Sequence, residues 1–153
     1  MSKVGITLAV LRVIATKEEL FRATVEHELA TSLDAVRAVL AREHSPLPDR
    51  IVDAFDQWLG RYIDPETADV GVLAEANSDT LTQVFENYRN RFDRAVAEQI
   101  DATPGAVRAG DAQGIEVSRT LHATATGFKH DVPDRKAFRR AMKTAVKLIV
   151  SNG

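Results

Sequence analysis

From Leu20 onward, apolar residues recur mostly at three- and four-residue spacing: Leu20, Phe21, Val25, Leu29, Leu33, Val36 and Leu40. That is the stripe of an amphipathic α-helix. Start signals stand just ahead of it. The Thr16 hydroxyl and the Glu19 carboxylate have the spacing of a reciprocal capping box, and Ala15 and Leu20 that of a hydrophobic staple. Glu18 and Glu19 put negative charge at the positive end of the helix dipole. The pattern predicts a long helix beginning at Thr16 and ending before His44-Ser45-Pro46-Leu47-Pro48, whose two prolines forbid continuation. A second helix is predicted from Pro48, with Ile51, Val52, Phe55, Trp58, Leu59, Tyr62 and Ile63 on its apolar face and Asp64-Pro65 as its stop.

Residues 66–77 read as a short helix weakened by Gly71. Thr80 and Gln83 form another box, opening a helix to about Ile100 with Leu81, Val84, Phe85, Tyr88, Phe92, Val96 and Ile100 inward. Its opposite face, Glu86, Arg89, Asn90, Asp93 and Arg94, reads as a solvated surface of interspersed charge. Residues 102–110 form a loop around Pro104-Gly105. Asp111 is the expected cap of the next helix, to about His130, in which Ala123 to Gly127 are small enough to let another backbone come close. Asp131 to Asp134, with Pro133, break the chain. The last helix then carries Phe138, Ala141, Met142, Ala145, Val146 and Ile149 on one face. The expectation is an all-α bundle of about six helices, the last two an antiparallel hairpin.

Residues 4–15 fit this pattern poorly. VGITLAVLRVIA is apolar apart from Gly5, Thr7 and Arg12, and strand and helix are both open on propensity. It is too short to span a bilayer, and with only Lys3 as a basic end and Arg12 inside, it makes a poor signal peptide. An exposed run of this kind should find cover in the core or in a partner.

A chain of 153 residues suits one domain with a substantial core, and 44% hydrophobic with 27% charged residues is ordinary for a soluble protein. The net charge of −2 removes any global attraction to nucleic acid or anionic membrane. The absence of cysteine excludes disulfides, thiolate nucleophiles and Cys-ligated zinc, and fits a reducing, cytoplasmic location.

Motif chemistry is sparse. His27-Glu28 lacks the second histidine of a zinc-protease helix, because position 31 is Thr. His44 sits in a loop, and Lys129-His130-Asp131 has no partner ligand at helical spacing, so no metal or cofactor is expected. No serine has a strand–turn–helix elbow, and Gly105, Gly110 and Gly114 do not form a phosphate loop. An enzyme is not expected. Lys136, Arg140, Lys143 and Lys147, with Arg135 and Arg139 beside them, form a basic stripe that a solvated face explains. What remains is an aromatic inventory on apolar helices: Trp58, Tyr62, Phe85, Tyr88, Phe92 and His122, with Thr24, His27 and Asn77 as polar contacts. Core packing accounts for each one singly; together they suggest a small, mostly apolar ligand between helices.

The octapeptide Thr16-Lys17-Glu18-Glu19-Leu20-Phe21-Arg22-Ala23 resembles the junction in TetR-type transcriptional regulators, where a helix-turn-helix domain meets the first long helix of the effector-binding domain. The order of elements after it is similar too. The resemblance implies an effector-binding and dimerisation domain over residues 16–153, part of a repressor-type regulator. Residues 1–15, where the family has a far more polar recognition helix, would be a truncated or altered remnant of the DNA-binding domain. Specific DNA binding is then not expected of this chain. In that family the last two helices make a homodimeric four-helix bundle, which assigns Leu121, Thr124, Ala125, Phe128, Phe138, Met142, Ala145 and Ile149 to the dimer interface. The alternative is a helical-bundle interaction module unrelated to transcription, with residues 4–14 folding onto a partner.

Overall fold

The computed structural model describes residues 3–63, 78–108 and 110–153. Among them the fold is all-α: α1 Lys3–Leu40, α2 Leu47–Trp58, a 3-10 turn Gly60–Tyr62, α3 Ser78–Asp101, α4 Gly114–Asp131 and α5 Arg135–Ile149. The helix expected over 66–77 lies outside the described residues. Helix α2 is central, packed against α1, α3 and α5, while α3 packs on α1 and α4, and α4 on α5. Phe55, Phe92 and Phe138 are the largest side chains in the sealed core. Phe92 meets the edge of Phe55 at 4.9 Å and stacks on Trp58 at 5.1 Å, tying α3 to α2.

Helix α1 differs from expectation at its start. It does not begin at Thr16 but runs through it, and the Thr16 hydroxyl donates back to the Arg12 carbonyl at 2.8 Å. The reciprocal box with Glu19 is therefore not the start of the helix, and Leu20, 68% exposed, holds no staple inside the fold. Residues 4–15 contain no proline, and extending an existing helix is far easier than nucleating one, so nothing breaks α1 between Lys3 and Thr16. The side chains of residues 7–13 and 16–20 are all exposed. From Val25 the stripe Val25, Leu29, Leu33, Val36 and Leu40 is buried as predicted. In its described side chains the first half is thus a bare stalk; at 1.5 Å per residue, Lys3 to Leu20 extends roughly 27 Å.

The other ends are set by specific bonds. Helix α3 is already helical at Ser78, so Thr80 lies within it. At α4 the Gln113 amide donates to the Glu116 carboxylate at 2.9 Å and the Gly114 amide to the Asp101 carboxylate at 3.0 Å, so Asp111 is not the cap. Gly114 is required by this close approach: a Cβ there would come within 2.6 Å of the Ala97 carbonyl oxygen. Asp134 caps α5, accepting from the Ala137 amide at 2.7 Å, and leaves only residues 132–134 to join α4 to α5. The tail is stitched back. The Arg108 amide donates to Ile149 at 2.9 Å, the Ser151 amide to Ala106 at 2.7 Å, and Asn152 Oδ1 accepts from the Leu47 amide at the start of α2 at 3.0 Å.

Four of the residues assigned to a dimer interface are used inside the monomer. Leu121, Ala125, Phe138 and Met142 are each 0% exposed, so their side chains offer no surface to a second copy. Of the small residues Ala123 to Gly127 only Ala125 is buried; Ala123, Thr126 and Gly127 are exposed, and a Cβ on Gly127 would meet nothing within 4 Å, so most of the run does not bring α4 close to another backbone. Thr124, Phe128, Ala145 and Ile149 are only half-buried, and Leu148 beside them is 72% exposed.

Candidate functional site

Three of the aromatic candidates come together. Trp58 and Phe92 stack, and the His122 ring sets its edge against Phe92 at 5.3 Å and Phe55 at 5.9 Å. His122 is held there by Asp93, with Nδ1 and Oδ1 3.1 Å apart, and the Ser118 hydroxyl donates to the same Oδ1 at 3.0 Å. All three polar residues are buried, and a carboxylate is tolerated at such depth only with hydrogen-bond donors aimed at it. The group is not a nucleophilic triad. Ser118 bonds the carboxylate rather than the imidazole, so no base is placed to take its proton.

Asp93 also lines an open cleft of about 280 Å³ with Glu86, Arg89, Asn90 and Arg119. Positions 86, 89, 90 and 93 lie three or four apart on one face of α3. Arg119 comes from α4, next in sequence to Ser118. By its sequence this α3 face is a solvated surface of interspersed charge. Burial of Asp93 depends on where the Ser118 and His122 side of α4 lands, and nothing local to α3 signals that.

A second polar group joins the 3-10 turn to α1. The Tyr62 hydroxyl lies 3.1 Å from Ser32 Oγ, which also accepts from Arg61 Nη1 at 3.0 Å. Burial raises the Tyr62 pKa above 10.0; the Ser32 bond opposes this, Glu28 adds to it and Arg61 again opposes it. The remaining candidates are dispersed. Phe85 and Tyr88 are half-buried, with the Arg91 guanidinium 5.0 Å from the Tyr88 ring centre. His27 is exposed, and Thr24 turns its hydroxyl back to the Leu20 carbonyl at 2.8 Å. Asn77 lies outside the described residues.

The basic stripe on α5 divides in two. Lys136, Arg140, Lys143 and Lys147 are exposed, but Arg135 and Arg139 clamp the buried Asp56 of α2. Arg135 contacts Oδ1 at 2.8 Å and Oδ2 at 3.0 Å; Arg139 reaches Oδ2 at 2.8 Å and Asp53 Oδ1 at 2.7 Å. Burial works against the Arg139 charge, yet its bonds and proximity to Asp53 and Asp56 outweigh that and raise its pKa. Gly60 is needed beside this clamp, because a Cβ there would run into the Asp56 carboxylate. A sequence signal existed: two aspartates three apart on α2 and two arginines four apart on α5 can face each other as a bidentate pair.

Among the described residues no three histidine or carboxylate side chains converge as a metal would need, and no helix is long and apolar enough to cross a membrane. No known protein family, curated protein or solved structure matches the chain.

Proposed function

We propose that the chain is the ligand-sensing and homodimerising part of a TetR-type transcriptional regulator, a cytoplasmic repressor. The observation carrying this reading is α1, one unbroken helix that runs from the bare stalk through the Thr16–Ala23 octapeptide into the core. An effector that shifts α1 in the bundle would move whatever the stalk carries, which is the coupling such a regulator needs. The effector, small and mostly apolar, enters beside the Trp58–Phe92 stack and uses His122 as its polar contact. Half-buried Phe128, Ala145 and Ile149, with exposed Leu148, are the surface left for dimerisation.

The bare stalk also favours a second reading, an interaction module whose partner covers residues 7–13. Light scattering separates the two. The regulator reading expects twice the 16.8 kDa chain mass, reduced to one chain by Leu148→Glu together with Ala145→Glu. A dimer that survives those changes but is lost on replacing Leu8 and Leu11 by Lys would place association on the stalk and favour the module. A monomer under all conditions would overturn the regulator reading.

A further inference from the structure

The cleft between α3 and α4 is lined by charges of both signs. Arg89 and Arg119 are exposed, and neither makes a hydrogen bond or ion pair to another described residue. Asp93 takes both of its hydrogen bonds, from Ser118 and His122, on Oδ1. Its Oδ2 bonds no described residue, yet no buried side-chain nitrogen or oxygen among them lacks a partner. That oxygen therefore keeps a trace of exposure, and Asp93, 2% exposed, lies among the residues that line the cleft, held by α4 through its other oxygen. Glu86 and Asn90 complete the walls.

Guanidiniums left without acceptors favour a carboxylate, which they bind through paired, charge-assisted hydrogen bonds. A lone anion would also face Asp93 and Glu86, and a lone cation would face both arginines. A molecule with a carboxylate and an ammonium group close together satisfies both walls at once. The cleft volume of about 280 Å³ falls at the small end of ligand sites, room for one compact molecule. We propose that this cleft binds a small zwitterion, a free α-amino acid or close analogue. Its carboxylate lies on Arg89 and Arg119 and its ammonium on Asp93 Oδ2 and Glu86. The site is separate from the apolar effector site proposed above and does not depend on the regulator reading. It meets the aromatic core at the Asp93–His122 contact.

The test is calorimetric titration of the full chain with each common L-amino acid, with inorganic phosphate and putrescine as probes of a single sign. At least one amino acid is expected to bind saturably, and Arg89→Ala, Arg119→Ala and Glu86→Gln, all at exposed positions, each to weaken it by roughly 10-fold while the circular dichroism spectrum is unchanged. N-acetylation of that amino acid should weaken it similarly. Saturation by none of them would overturn the proposal. So would phosphate or putrescine binding as tightly as the best amino acid, or amino-acid binding indifferent to the three substitutions.

Discussion

The two halves of α1 share one backbone and differ in almost everything else. Both are apolar, and Leu8 and Leu11 have the same three-residue step as Leu33 and Val36. The C-terminal half buries its stripe against α2 and α3, whereas Leu8, Val10, Leu11 and Val13 are each more than half exposed. An apolar stripe is therefore a demand for cover, and helicity alone does not meet it. In the C-terminal half packing holds the helix; in the stalk only local propagation does.

Proline separates the halves most sharply. Val36→Pro, in the buried half, should leave no cooperative unfolding transition, whereas Val13→Pro should lower the helical signal and leave the midpoint nearly unchanged, both read by circular dichroism. Side-chain truncation is the next test. Phe55→Ala should cost about 3–5 kcal/mol in urea unfolding, and Leu11→Ala less than about 0.5 kcal/mol. If Leu11→Ala proved as costly as a core change, the stalk would already be covered in solution. Asp56→Ala should cost about 2–4 kcal/mol, somewhat below a fully buried pair because the two arginines are partly solvated. No stalk charge should matter as much.

The smallest effect lies where the 3-10 turn meets the buried half. Since the Tyr62 pKa is raised above 10.0, its neutral form is favoured by folding. Its contribution is complete below pH 10 and falls as pH rises through the folded pKa. Tyr62→Phe should flatten the alkaline fall in stability, while Leu11→Ala should leave it untouched.

The helices were legible because periodicity reports which face will be buried wherever a body exists to bury it. Leu29, Leu33, Ile51, Phe55 and Phe92 all went inside. The start of α1 was not legible, because Thr16 and Glu19 keep the same spacing whether they cap a helix or sit within one. Only the lack of a breaker upstream decides between the two. The polar groups were least legible. Asp93 follows Phe92 on a face rich in charge, and its burial is settled by α4, more than twenty residues later. Asp56 likewise waits for Arg135 and Arg139. The spacing of the aspartates on α2 and of the arginines on α5 is legible as two halves of a pair, but that the halves meet, and that Asp93 meets α4, are tertiary facts.

The stitched tail has a consequence for synthesis. Helix α2 is made early, yet its first amide is satisfied by Asn152, and the loop ahead of α4 is fastened by the Ala106–Ser151 bond. A nascent chain can form α1, α2 and α3 while still on the ribosome, but it cannot close these bonds until Ser151 and Asn152 have emerged. The final stage of folding therefore waits for residues 151 and 152, and a chain stalled before Val150 would keep its earliest helices with one end unsealed.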